Sequence, residues 1–309
     1  MARPMRLSPQ APAAVVMVRP HHFTVNTETA ADNRFQVTGD DGGLAPLAYA
    51  EITRAAAALE AAGVTVHLFE DTGTDTPDSV FPNNWFSTHA GGHVAIYPMK
   101  APSRRRERRA DVIEMLKSRY RVQEVVDYSG LEPDGLYLEG TGAMVLDHID
   151  RVAYAVRSDR TDPIALERFC TQFNFEPMVF EARDGDGMPI YHTNVLMCIA
   201  SDFALIGLDM MTEPARRREI VDRLEQSGRR VIGLGNDQIA RFAGNALELQ
   251  GRDRRLLALS TTARDALDAK QIAAIEETAT LLPLHIPTIE RAGGSVRCTL
   301  AGVHLTARH

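Results

Sequence analysis

Short apolar runs, paired across a polar turn, recur along the chain. They stand at 85–98 (WFSTHAGGHVAIYP), 143–156 (AMVLDHIDRVAYAV), 195–208 (VLMCIASDFALIGL) and 246–260 (ALELQGRDRRLLALS). The turns are Gly91 with Gly92, DHID, SD and GRD. Strand-forming runs interrupted by turn residues predict β-hairpins. CTLAGVHLT (298–306) begins a fifth unit. Each of the first four hairpins is followed by a stretch of helical period: SRRRERRADVIEMLKSRY, DPIALERFCTQF, EPARRREIVDRLEQSG and DAKQIAAIEETATLL. Asp162 with Pro163, and Glu213 with Pro214, predict helix starts, because proline suits a first turn. A further strand follows each helix: VQEVVDY, FEPMVFEA, RRVIGLG and LPLHIP. The N-terminal AVVMVRP, the helical PLAYAEITRAAAALEAAG and VTVHLFE supply what the fifth unit lacks. The pattern predicts an α/β chain of repeated ββαβ modules in one domain spanning 1–309. A period near fifty residues predicts a radially repeated, closed architecture.

The same phase carries chemistry. Asn84, Glu139, His192, Asn245 and Cys298 each stand at the mouth of a module. Asn84 precedes Glu139 by 55 residues, and the remaining three follow at intervals of 53. Modules arranged about a pseudo-fivefold axis would bring a carboxylate, an imidazole, a thiol and two amides to one end. A single cysteine in a sequence is more often a small core residue than a nucleophile. The shared phase is what singles these residues out. A thiolate can attack, and an imidazole can give a proton to departing ammonia and then activate water. Glu139 would orient His192 or bind planar substrate nitrogens. A thiolate divides attack on a resonance-stabilised guanidinium or urea carbon into two easier steps.

Composition narrows the alternatives. The 309 residues are 44% hydrophobic and carry a formal net charge of −7. That balance speaks against a nucleic-acid binder. The basic run RRRERR (104–109) reads as a solvated face. No apolar run is long enough to cross a bilayer, and MARPMRLSPQAPAA lacks the apolar centre of a secretory signal. Three cysteines, Cys170, Cys198 and Cys298, make a disulfide scaffold improbable and a reducing cytosol the expected setting. Cys170 and Cys198 fall in apolar patterns and read as core. No CxxC or HxxxH spacing supports a metal, so no metal and no cofactor is expected. LEGTG is not GxGxxG, and no GxSxG elbow is present. A small-molecule substrate is the expected partner, and a homo-oligomer remains open.

LEGTG (138–142), YHTNV (191–195) and GGSVRC (293–298) resemble the Glu, His and Cys motifs of the guanidino-group-modifying superfamily of arginine deiminases, dimethylarginine hydrolases and amidinotransferases. The resemblance runs from VVMVRP to the last strand. It implies the five-bladed α/β propeller called a pentein, with Cys298 as nucleophile. APSRRRE (101–107) resembles a stretch of dimethylarginine hydrolases. RSDRT (157–161) resembles a motif whose arginine binds the substrate carboxylate, here Arg160.

The chain departs from deiminases at two places. Asn83 and Asn84 in FPNNW, and Asn194 in His192-Thr193-Asn194, stand where deiminases usually carry aspartate. Amides suit a neutral ureido group better than a cationic guanidinium. With Glu139 as the one counter-charge, a buried guanidinium would be costly. FPNNW and FAGNALEL make the citrulline utilization hydrolases the nearest resemblance. The expected reaction is citrulline to ornithine, ammonia and carbon dioxide through a Cys298 thioester, with Asn83, Asn84, Asn194, Arg160 and Asn245 binding substrate. Alternatives are a hydrolase or deiminase of arginine, methylarginine or acylarginine, an amidinotransferase, and a non-catalytic propeller that binds an amino acid.

Overall fold

The computed structural model describes residues 8–30, 33–37 and 43–308. Residues 1–7 of the N-terminal stretch discussed above lie outside these. Among the described residues fifteen strands run in chain order as β1 (Ala14–Pro20), β2 (Thr65–Asp71), β3 (Phe86–His89), β4 (His93–Ile96), β5 (Glu124–Asp127), β6 (Met144–Asp147), β7 (Val152–Val156), β8 (Glu176–Phe180), β9 (Met197–Ile199), β10 (Phe203–Ile206), β11 (Arg230–Gly233), β12 (Leu247–Gln250), β13 (Arg255–Ser260), β14 (Thr280–Leu284) and β15 (Ala301–Gly302). They form five three-stranded sheets: β3-β4-β5, β6-β7-β8, β9-β10-β11, β12-β13-β14 and β15-β1-β2. In every sheet the middle strand pairs antiparallel with one neighbour and parallel with the other. The antiparallel pairs of the first four sheets are the hairpins expected from the sequence. The fifth pairs the C-terminal β15 with the N-terminal β1.

A parallel pair needs a crossover, and a helix provides it each time. The helices are Leu44–Ala61, Ala110–Arg119, Pro163–Phe173, Pro214–Gln226 and Ala269–Glu276. Their starts follow local chemistry. Asp162 accepts from the backbone of Ile164 and Ala165, ahead of Pro163. Asp268 and Gln271 form a reciprocal capping box. Leu166, Phe169 and Phe173 turn one face of Pro163–Phe173 into the core. Each such side chain contributes roughly 1.5–3 kcal/mol on burial.

Burial grades across the sheets. β3, β6 and β9 are buried throughout, whereas β5, β8 and β11 are largely exposed or half-exposed. The first strands therefore face inward, and residues from all five of them line one central cavity. Strands covered on both sides read as continuous apolar runs, which explains MCI and FALI.

Two expectations need correction. The stretch 103–120 is not one helix: a single turn, Pro102–Arg105, precedes Ala110–Arg119, with Arg109 extended between them. Nor is RRRERR a solvated face throughout. Arg104 and Glu107 are each 2% exposed, because carboxylates from other segments enclose the guanidinium. Among the described residues no helix is long and apolar enough to cross a membrane.

Candidate active site

The 53-residue interval has a local structural cause. Just before its first strand, the chain in each module makes a tight turn. Asn84 ends the 3₁₀ turn Pro82–Asn84. Glu139 caps the one-turn helix Gly140–Ala143, and His192 caps Thr193–Leu196. Asn245 precedes β12, and Cys298 lies within the one-turn helix Val296–Thr299. All five side chains belong to residues at most 3% exposed.

Glycine lets these turns approach each other. A Cβ on Gly142 would fall 2.7 Å from Asn84 Oδ1 and 2.8 Å from His192 Nδ1. Gly140 has φ +49°, and a Cβ there would meet the Asn83 carbonyl oxygen at 2.5 Å. LEGTG is thus the contact surface between three modules as well as the carrier of Glu139.

Cys298 Sγ receives the amide N–H groups of Asn194 and Asn245, each at 3.3 Å. His192 Nε2 lies 2.9 Å from Glu139 Oε2. Glu139 Oε2 is also 3.5 Å from Arg104 Nη1 and 3.5 Å from Arg160 Nη1, and its Oε1 accepts the Lys100 backbone N–H at 3.1 Å. Burial opposes charge on Glu139, but Arg160, the His192 hydrogen bond and Arg104 outweigh it and hold the carboxyl well below the usual range. Glu139 is therefore a carboxylate, so His192 Nε2 must donate to it and Nδ1 keeps its lone pair. For His192, burial beside two guanidiniums prevails over Glu139 and pushes the imidazole well below its ordinary value. The ring rests neutral, ready to accept a proton.

Cys298, His192, Asn84 and Arg160 line one narrow cavity. Asn194 and Asn245 meet it through the sulfur. Asn83 is fully buried, but its side chain does not line this cavity; its carbonyl accepts from Thr141. The side-chain oxygens of Asn84, Asn194 and Asn245 are buried without a partner among the described residues. Arg160 packs its guanidinium over the Tyr191 ring at 4.9 Å. Cys170 and Cys198 are buried in the core, where desolvation pushes each thiol up to about 12.

Sequence reasoning missed Asp78, Arg104 and Tyr191, which line the same cavity. Asp78 is 3% exposed, lies 3.6 Å from Arg104, and has one carboxylate oxygen with no partner. Burial pushes its carboxyl above the usual range against the pull of Arg104. Glu139 is consequently not the one counter-charge of the pocket, which removes the main argument for an exclusively neutral substrate. Arg104 also holds Glu107 through two contacts of 2.9 and 3.0 Å. The likeness of APSRRRE to dimethylarginine hydrolases was the available signal for Arg104; nothing local marked Asp78. Among the described residues no group of three or more His, Cys, Asp or Glu side chains is placed to hold a metal ion.

No curated protein matches the chain. The family model described as "N,N dimethylarginine dimethylhydrolase, eukaryotic" matches residues 19–305. The N-terminal domain of ArgZ, an arginine dihydrolase from the ornithine-ammonia cycle in cyanobacteria, shares the fold with a TM-score of 0.74 at 16% identity, over 94% of this chain and 97% of that one. AgrE in its binary complex with L-arginine gives 0.76 at 18% identity, over 96% of this chain and 40% of AgrE. A dimethylarginine dimethylaminohydrolase bearing an adduct with S-methyl-L-thiocitrulline gives 0.59 at 13% identity, over 94% and 98%. The chain spans about 40% of the longer ArgZ and AgrE chains. These matches carry dimethylarginine and arginine names, in place of the citrulline-hydrolase likeness expected from FPNNW and FAGNALEL.

Proposed function

The chain belongs to the N,N dimethylarginine dimethylhydrolase family and is a hydrolase of carbon–nitrogen bonds; from that premise we propose that it cleaves such bonds at the guanidino carbon of arginine or a close arginine derivative, with Cys298 as the nucleophile. The observation that carries this reading is the Cys298 sulfur held by two asparagine amides, in one cavity with the buried Asp78 carboxylate and with His192, which Glu139 holds from behind. A thiol to attack, a neutral imidazole to move protons and a carboxylate with a free oxygen to face a cation are what guanidino hydrolysis needs.

In this reading His192 Nδ1 takes the Cys298 proton and the sulfur attacks the guanidino carbon. The C–N bond to the leaving amine breaks as His192 returns the proton to that nitrogen. The carbon stays on Cys298 as a thiouronium. His192 then draws a proton from water, whose oxygen attacks the same carbon; the C–S bond breaks with its electron pair going to sulfur, and His192 returns that proton to the Cys298 sulfur. Arg160 and Arg104 suit a substrate carboxylate, and Asp78 suits an α-amino or guanidino nitrogen. The arginine named in the AgrE complex and in the ArgZ description supports an arginine-type substrate.

One observation favours a second reading. The three unpartnered amide oxygens of Asn84, Asn194 and Asn245 also match the N–H groups of a ureido substrate such as citrulline. Closure of the five sheets into a propeller also belongs to this proposal, as does action of residues 1–309 as one catalytic domain in a reducing cytosol. Support for closure comes from the cavity lined by every first strand.

The test compares arginine, methylated arginine and citrulline with one enzyme preparation, reading released amine or ammonia and the amino-acid product. A higher kcat/KM for a guanidino substrate is expected, and Asn84→Asp should raise that ratio further. Turnover of citrulline alone would replace the first reading with the second.

A further inference from the structure

The central cavity shares no lining residue with the catalytic one. All five first strands reach it: Thr88 from β3, Leu146 from β6, Cys198 from β9, Leu247 from β12 and Gly302 from β15. Among the described residues no aspartate or glutamate lines it, yet Arg297 does. The buried arginines face carboxylates: Arg104 is 2.9 Å from Glu107, Arg160 is 3.5 Å from Glu139, and Arg229 is 2.8 Å from Asp147. Among the described residues Arg297 forms no ion pair, and the one hydrogen bond of its guanidinium goes from Nη1 to the Leu300 carbonyl at 3.0 Å. A guanidinium carries five N–H donors and stays protonated, so most of its donors lack a protein acceptor. Arg297 is half-buried, and withdrawing such a charge even partly from water without a counter-charge has a cost. Burial pushes its guanidinium below the ordinary value.

The other polar groups do not answer that charge. Gln10 donates to the carbonyls of Leu146 and Ile199 at 3.0 Å each and accepts the His148 backbone N–H at 2.8 Å. Thr88 donates to the Gly302 carbonyl and accepts the His304 backbone N–H. The His148 ring makes no hydrogen bond within the described residues and stacks on His304 at 3.9 Å. Both rings also line an open groove bounded by Ser8, Pro9 and Arg151, which gives the cavity a second approach.

We propose that this central cavity binds a monovalent anion, such as chloride, nitrate or bicarbonate, on the Arg297 guanidinium with an N–H from His148, entering past His304. One unpaired positive charge selects a monovalent ion, since a polyanion would bring charge that nothing there balances. Arg297 precedes Cys298 in the one-turn helix Val296–Thr299, so the anion would brace the segment that carries the nucleophile.

Two measurements test it, the first on the unmodified protein. Crystals soaked in bromide should show anomalous density within hydrogen-bonding distance of the Arg297 guanidinium. In solution, replacing gluconate by chloride at constant ionic strength should raise the melting temperature saturably, by about 5 °C at a hundredfold excess over Kd. Arg297→Gln should remove the saturable rise, and Arg297→Lys should keep part of it. Absence of bromide at Arg297, or a melting temperature of the unmodified protein that does not respond saturably, overturns the proposal. Bromide seen at Arg297 without that response marks an adventitious ion only and counts against it equally.

Discussion

Replacing Glu139 by glutamine isolates charge from shape. The carboxylate is fully buried and serves four donors: His192 Nε2 at 2.9 Å, the Lys100 backbone N–H at 3.1 Å, and Arg104 and Arg160 at 3.5 Å each. An amide keeps one acceptor. If that oxygen stays with Lys100, the new NH₂ group points at His192 and two guanidiniums, all donors. His192 can then answer only by moving its proton from Nε2 to Nδ1. That tautomer cannot accept the Cys298 proton. In a serine protease the wrong histidine tautomer costs about 10⁴ in kcat, and a fall of roughly 10³–10⁴ is expected here. Stability also falls. Removing one partner of a buried ion pair costs about 3–5 kcal/mol. The lower end applies, because Arg104 keeps Glu107 and Asp78. Ammonia release under saturating substrate gives kcat, and urea unfolding with an unchanged m-value confirms that the variant is folded. A folded Glu139→Gln enzyme with kcat within tenfold of the parent would refute the proton-carrier assignment of the His192–Glu139 pair.

Cys298→Ala should lower turnover by more than about 10⁴, while Cys198→Ala should retain the chemistry and lose about 1–2 kcal/mol of stability; trapped substrate on any peptide lacking Cys298 would contradict this. Arg160→Ala should raise KM for a substrate with a free carboxylate by roughly tenfold to a hundredfold, with a smaller fall in kcat through the lost contact to Glu139, and an unchanged KM would disprove the anchor. Stability should fall on acidification below about pH 6.5. Burial depresses His89 and His148 and pushes His192 and His304 each down to about 4, so their contribution is complete above the unfolded value of 6.5 and is lost as pH falls through the folded values. Glu107, pushed up to about 8, and Asp78, also raised, act in the opposite sense. Each histidine held neutral in the fold contributes up to about 1.4 kcal/mol per pH unit in that window, and unfolding free energies that stay flat between pH 7 and 5.5 would exclude a net histidine effect.

The modules and the phase of Asn84, Glu139, His192, Asn245 and Cys298 were legible along the chain because their causes are local. Alternating strand and turn chemistry, proline at helix starts and a repeated turn before each first strand leave marks in nearby residues. The equal intervals follow because each module brings the same turn to the same place. Helix and strand ends moved where tertiary contacts intervened. Arg109 breaks the expected helix beside a buried Arg104. The last predicted strand, expected at 282–287, begins instead at Thr280 and accommodates Pro283 on the outer strand of its sheet. The charge of the pocket was not legible. Asp78 and Arg104 lie outside the 53-residue phase, and a surface ion pair would read the same in one dimension. Only the folded arrangement, which removes them from water and sets them against Glu139, Glu107 and Arg160, turns two ordinary charges into a site that can meet a cation and a carboxylate. Long-range electrostatics and burial depend on what the rest of the chain packs around a residue, and that information is absent from its neighbours in sequence.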